Sequence, residues 1–271
     1  MDYAVIGGDA RMGCLAELLK RGGRSACWLW GSGADAQSII DAPEALGRAR
    51  NIVVNCPPKP RGGELTLEDI ARLAMPEARI YLCGPSSPEM EDARFVDLWR
   101  DETLLRDNAW LTAEGALASV MRAGARCLRD TRCMVVGWGR IGQALTEQLT
   151  ALGAGVVVAS RSGEHRLRAM ERGAEAVPTG DMGDALASAD VVFVTAPVTV
   201  LDREKLKRVR SGAMIVDLAS PPYGVDVRAA WDLGLRAWRE PGLPGRYCPE
   251  SAALALMRAI ERDRKEARDD G

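Results

Sequence analysis

The sequence predicts an α/β protein made of two doubly wound domains, each with a mainly parallel sheet, joined by a long interdomain helix. Three observations carry that prediction. Short, continuously apolar runs alternate with amphipathic stretches in two consecutive series. The first run of each series ends in a glycine turn, Gly7-Gly8 and Gly137-Trp138-Gly139. Between the series, Ala113, Ala116, Leu117, Val120, Met121, Gly124 and Leu128 recur at three- and four-residue spacing, which reads as a helix from Ala113 to Leu128.

In the first series, Tyr3–Ile6 reads as a strand, followed by the glycine turn and an apolar-periodic helix over Met12 to Leu19. Further strands are expected at Ala26–Trp30, Asn51–Asn55 and Arg79–Cys83. A helix is expected from about Thr66 to Ala74, with Thr66 as N-cap and Glu68 and Asp69 in its first turn. Proline and glycine between Pro57 and Gly63 mark a loop.

The second series is more regular. Strands at Met134–Val136, Gly155–Ala159, Val191–Thr195, Ala213–Leu218 and Leu235–Trp238 alternate with helices starting near Arg140, His165, Asp184, Asp202 and Asp226. A last helix is expected from about Pro249 to Ala267, with Arg264 to Gly271 fraying. The expected domains are therefore residues 1–111, flavodoxin-like and completed by the C-terminal helix 248–271, and residues 112–247.

Composition narrows the function classes. The 271 residues suffice for two domains, 47% of them are hydrophobic, and the net charge is -2. No global basic field exists to attract nucleic acid or a membrane surface. Seven cysteines without a C-x-x-C pair, beside one histidine, argue for reduced thiols and against a metal site. No apolar stretch approaches the roughly 20 residues of a membrane span, and the chain enters a strand directly, so a cytoplasmic protein is expected.

Gly137-Trp138-Gly139-Arg140-Ile141-Gly142 is G-x-G-x-x-G, following a strand and opening a helix. Its glycines permit the turn, the approach of a pyrophosphate and close helix–sheet packing, with Arg140 and Ile141 in the first helical turn. A Rossmann dinucleotide site follows. NAD sites place an acid roughly 20 residues on, to hold the ribose 2′-hydroxyl. Here Ser160-Arg161-Ser162 stands there, with no acid until Glu164. A guanidinium and two hydroxyls suit a 2′-phosphate, so NADP is favoured and NAD is the alternative. His165 and Arg166 can reach the same phosphate; equally, Arg161 can simply end a strand and face water. Thr195-Ala196-Pro197 and Leu218, at two later strand ends, would border the nicotinamide.

These residues, together with Ile6-Gly-Gly-Asp-Ala-Arg11, Thr112-Ala-Glu-Gly115, Asp217-Leu-Ala-Ser220 and Pro241-Gly-Leu-Pro-Gly245, resemble the family of dipicolinate synthase A subunits. The motifs come in that family's order and spread over nearly the whole chain. The resemblance implies a sporulation enzyme of the bacterial mother cell that oxidises dihydrodipicolinate to dipicolinate. It also implies a smaller, flavoprotein-like B subunit, expected to carry FMN, and a homo-oligomer is expected. Cys56-Pro-Pro-Lys-Pro60 departs from the family's small polar run there.

Such a reaction removes a hydride and a proton from a ring bearing two carboxylates, so the protein must orient the ring, bind two anions and accept a proton. Arg11, after the first glycine turn, is the expected anion ligand; a surface arginine is the alternative. Ser86 and Ser87 can bind a carboxylate or cap a helix. Thr112 and Glu114 either supply the general base or cap and complement the start of the interdomain helix. Ser220 either orients substrate or is a turn residue. D-2-hydroxyacid dehydrogenases share the two-domain plan but use a histidine acid/base, and the sole histidine here, His165, falls at the adenosine end.

Overall fold

The computed structural model describes residues 1–30, 42–56, 65–84, 88–124 and 126–269. In chain order the elements are β1 (Tyr3–Ile6), α1 (Ala10–Arg21), β2 (Ala26–Leu29), α2 (Ala42–Leu46), β3 (Asn51–Asn55), α3 (Leu67–Leu73), β4 (Arg79–Cys83), β5 (Phe95–Asp97) and α4 (Glu102–Ala123). Then come β6 (Arg132–Val136), α5 (Arg140–Ala151), β7 (Gly155–Ala159), α6 (Gly163–Glu171), β8 (Glu175–Val177), α7 (Gly183–Ser188) and β9 (Val191–Val194). The chain ends with α8 (Arg203–Leu206), β10 (Met214–Asp217), α9 (Val227–Asp232), β11 (Arg236–Arg239), α10 (Leu243–Tyr247) and α11 (Pro249–Asp269). Two compact units result, Met1–Asn108 with Pro244–Gly271, and Ala109–Leu243.

The first unit holds a parallel five-stranded sheet in the order β2-β1-β3-β4-β5. Strand alternation sends Val5, Val53 and Tyr81 to one face, against α1 and α11, and Ile6, Val54 and Leu82 to the other. Both faces are covered, which is why these strands read as unbroken apolar runs. α3 has the expected cap: Thr66 Oγ1 accepts from the Asp69 amide and Asp69 Oδ2 accepts from the Thr66 amide.

The second unit holds a parallel six-stranded sheet in the order β11-β10-β9-β6-β7-β8. Counted from β6, that is the 3-2-1-4-5-6 order of dinucleotide-binding sheets, with its topological switch between β6 and β9. Met134, Val157, Val192 and Ile215 fill one core face, and Val135, Val158, Phe193 and Val216 are buried next to them in sequence.

Three sequence expectations need correction. The connecting helix starts at Glu102, not Ala113, and ends at Ala123. Asp101 starts it, because its Oδ1 accepts from the amides of Thr103 and Leu104 at 2.8 and 2.9 Å. Thr112 is therefore a buried residue of the helix interior, and the capping and dipole accounts of Thr112 and Glu114 fall. The C-terminal helix runs to Asp269 rather than fraying from Arg264. The strands β5 and β8, each three residues long, have no counterpart among the expected strands. Ser86, Ser87 and the Pro57–Gly63 loop lie outside the described residues.

Candidate functional site

The turn from β6 into α5 is built by exclusion of side chains. Gly137 adopts φ +110, and a Cβ there would strike Thr195 Oγ1. A Cβ on Gly142 would run into the Gly137 carbonyl oxygen, so α5 can lie this close to the strand only with glycine there. Gly139 differs. It is the N-cap of α5, and among the described residues no side chain caps that helix end and a Cβ on it would meet nothing within 4 Å. Amide groups of a helix N-terminus thus look into open space, the arrangement that receives a pyrophosphate.

That space is a cavity of about 690 Å³, lined by Gly137, Trp138 and Gly139, by Ser160, Arg161, Ser162 and His165, and by Thr195, Ala196 and Pro197. Its size falls within the range of small-molecule sites. Arg140, Ile141, Gly142 and Leu218, all assigned to the cofactor from sequence, are not among its lining residues. Gly142 acts from behind, as a packing glycine. Leu218 is buried, its amide donating to the Val194 carbonyl. Thr195 Oγ1 donates to the Val136 carbonyl at 3.2 Å, tying the ends of β6 and β9 together.

At the end of β7 the polar residues divide their work. Ser162 N-caps α6, its Oγ accepting from the His165 amide. Arg166 Nη1 donates to the carbonyls of Ser160 and Arg161 at 2.9 and 3.0 Å. Arg166 therefore braces the loop, correcting the idea that it reaches for phosphate. The Arg161 side chain is exposed beside the cavity, and among the described residues its guanidinium makes no hydrogen bond. Ser160 is buried, with Oγ 3.5 Å from Nδ1 of half-buried His165. Glu164, the nearest acid in sequence, is paired with Arg168 at 2.6 Å.

Sequence reading passed over Trp138, Thr179, Val198 and Val200, which also line the cavity. Trp138 occupies a free position of the glycine motif, is buried, and has the Arg172 guanidinium 5.2 Å from its ring centroid. Motif reading assigns that position no chemistry. Thr179 follows a strand too short to be recognised.

The loop after β10 hangs on Asp217. This buried carboxylate accepts from the amides of Ala219, Gly224 and Val225 at 3.0–3.3 Å. Burial raises its pKa from the ordinary aspartate value, against the lowering effect of those amides and of Arg239. Ser220 is exposed on this loop, and its carbonyl accepts from the Tyr223 amide. Glu114 is exposed on α4, with Oε1 accepting from Trp110 Nε1 at 2.9 Å.

Arg11 is not an uncommitted cation. Its Nε and Nη2 donate to the two oxygens of Asp9 at 2.8 and 2.9 Å, and Asp9 is also the N-cap of α1. The cause is local: a cap carboxylate turned toward the first helical turn lies within reach of the side chain two residues on.

Residues 95–222 match the family model described as D-isomer specific 2-hydroxyacid dehydrogenase, NAD binding domain. The A subunit of dipicolinate synthase from Bacillus subtilis (strain 168) is 28% identical over 169 residues, 62% of this chain and 57% of that relative's length. Among solved structures, the A chain of B. subtilis dipicolinate synthase superposes with a TM-score of 0.81 at 23% identity, covering 100% of this chain and 98% of that one. The corresponding A subunit from Bacillus halodurans gives 0.78 at 22% identity, covering 96% and 97%. D-lactate dehydrogenase from Escherichia coli gives 0.63 at 14% identity over 99% and 98%. The structural likenesses show a dehydrogenase-like two-domain α/β fold, and the matched family model describes an NAD binding domain. No helix of the described residues is long and apolar enough to cross a membrane.

Proposed function

The chain is a relative of the dipicolinate synthase A subunits, and from that premise we propose that it is an NADP-dependent oxidoreductase component converting dihydrodipicolinate to dipicolinate. In this reading it acts with a flavoprotein-like B subunit that carries FMN, in the mother cell of a sporulating bacterium. The observation that carries the choice of NADP is Arg161, an exposed guanidinium without a hydrogen bond among the described residues, beside a cavity whose nearest sequence acid is already paired. A 2′-phosphate there gains a charge-assisted partner, whereas among the described residues no carboxylate lines the cavity to hold a bare ribose hydroxyl.

When bound, the nicotinamide cofactor supplies the hydride acceptor. The chain's residues supply the rest. Gly139 leaves the α5 amides open to the pyrophosphate, and Gly137 and Gly142 hold that helix end at the sheet. Ser160, Arg161 and Ser162 would hold the 2′-phosphate, and Thr195, Ala196 and Pro197 line the same cavity. Glu114, held through its bond to Trp110, accepts the proton that the ring loses together with the hydride. Ser220, exposed at the loop after β10, meets the substrate. Arg11 is left to its ion pair.

Calorimetric titration of NADP and NAD into the wild type and Arg161→Ala tests the cofactor. We expect NADP to weaken by about tenfold to a hundredfold, the equivalent of one charged hydrogen-bonded contact, and NAD to change little. Equal losses refute the assignment. Formation of pyridine-2,6-dicarboxylate from freshly made dihydrodipicolinate and NADP, with and without a B-type partner, tests the reaction. Flavin reduction in the complex without NADP turnover would move the redox step to the partner. Glu114→Gln should slow turnover while leaving NADP affinity intact.

A further inference from the structure

We propose that Arg239 is a carboxylate-binding group of the second unit, at the C-terminal edge of β10 and β11. The ligand it would take is a small carboxylic acid; that this acid is a pyridine dicarboxylate rests on the function proposed above.

Arg239 ends β11, on the sheet edge where ligands of parallel α/β sheets bind. Its side chain is 45% exposed. The guanidinium lies 3.9 Å from the centroid of the Tyr223 ring, which fixes its plane. Among the described residues none of its guanidinium N–H groups donates a hydrogen bond. Asp217 Oδ2 lies 3.9 Å from Nε, close enough to attract it but beyond hydrogen-bond reach. Asp217 is itself fully buried, and its oxygens are occupied by the amides of Ala219, Gly224 and Val225. The guanidinium is thus stacked on a ring, drawn toward a buried charge, partly exposed, and without a hydrogen bond on its donors among the described residues. A bidentate carboxylate is the natural complement of such a group.

The surroundings are rigid. Glu240, the next residue, accepts from Ser119 Oγ and, at 3.0 Å, from Trp238 Nε1, and its amide donates to the Asp217 carbonyl. Gly224 packs so closely on Val194 and the Ala196 carbonyl that a Cβ would collide with both. Ala196 lines the nucleotide cavity. The loop that presents Tyr223 and exposed Ser220 is therefore packed directly against that cavity's wall, and Arg239 meets the same loop through the Tyr223 ring. Adjacent strands lie roughly 4.8 Å apart, so β11 ends about 10 Å from β9, a distance that an arginine side chain and a six-membered ring can span.

The rival role is a clamp on the Asp217 loop, and the test separates the two. Pyridine-2,6-dicarboxylate and succinate are titrated calorimetrically into the full-length wild type, Arg239→Gln and Arg239→Lys. NADP affinity and the urea midpoint are measured on the same samples. We expect Arg239→Gln to weaken the bound acid by about tenfold to a hundredfold, with Arg239→Lys in between, while NADP affinity and the urea midpoint hold. Unchanged acid affinity in Arg239→Gln overturns the proposal. So does a joint fall in acid affinity, NADP affinity and urea midpoint, which marks a clamp, and so does a wild type that binds neither acid. Arg239-dependent binding of succinate alone supports Arg239 and refutes the pyridine dicarboxylate reading.

Discussion

After β1 the chain turns through Gly7 and Gly8 into α1, and after β6 it turns through Gly137 and Gly139 into α5. The two turns look alike in sequence and are opposite in chemistry. α1 begins on Asp9, whose carboxylate accepts from the Arg11 amide and holds the Arg11 guanidinium. α5 begins on Gly139, with no side chain at its cap among the described residues. One helix end carries its own anion, and the other is left for a ligand. The same contrast separates the arginines. Arg11 is closed by Asp9, while Arg161 and Arg239 keep their guanidinium donors available among the described residues. A glycine turn in front of a helix therefore identifies a nucleotide site only when the cap residue leaves the helix end unneutralised.

Giving α5 the cap that α1 has should break this comparison most severely. Gly139→Asp introduces a Cβ where nothing among the described residues lies within 4 Å, on an extended backbone (φ -73) that any residue adopts. The new carboxylate caps the helix and occupies the anion position. Nucleotide affinity, NADP and NAD alike, should fall about a hundredfold or more, while the urea midpoint stays level or rises slightly, since an aspartate cap exceeds a glycine cap by about a few tenths of a kcal/mol. Opposite movements of binding and stability are the signature. Retained nucleotide affinity would place the pyrophosphate elsewhere.

A smaller effect is expected where a carboxylate cap is native and purely structural. Asp101 starts α4 and receives Arg262 Nε and Nη2 at 2.8 and 2.6 Å. Burial acts to raise its pKa, but hydrogen bonds from Leu104, Arg262 and Thr103 outweigh it and hold the group below its ordinary value. A carboxylate depressed in the folded state stabilises above its unfolded pKa of about 3.9 and loses that contribution as pH falls through the folded value. Asp101→Ala should thus cost about 1–2 kcal/mol in urea unfolding at pH 7, and the gap to wild type should close below roughly pH 4. A gap that persists at low pH would mean the loss is packing.

How far the sequence foretold this division depends on the range of the interactions involved. The strands of the second unit read correctly because burial on both faces leaves an unbroken apolar run, as in Val191–Val194. The three-residue strands β5 and β8 have only half-buried or exposed residues and leave no such trace. The start of α4 was misplaced because Thr112 before an apolar run imitates a cap, and only the fold shows Asp101 capping well upstream and Thr112 buried. Gly139 and Arg161 were legible as a motif, since their roles follow from position along one βαβ unit. Arg239 was not. Its ring partner, Tyr223, is brought to it by the adjacency of β10 and β11, and no local spacing encodes that contact.

The mildest test addresses Arg11. If its guanidinium serves only Asp9, removing the charge should leave ligand binding as it was. The pair is partly exposed, 18% for Arg11 and 33% for Asp9, so solvent screens much of its attraction. Asp9 would keep its hydrogen bond to the Arg11 backbone amide, which does not depend on the side chain. Arg11→Gln should therefore cost at most about 1 kcal/mol in urea unfolding and leave nucleotide and carboxylate affinities within about twofold of wild type. A tenfold loss of carboxylate affinity in Arg11→Gln would show that the first unit's edge opens to ligand after all, and that the ion pair with Asp9 yields to a competing anion.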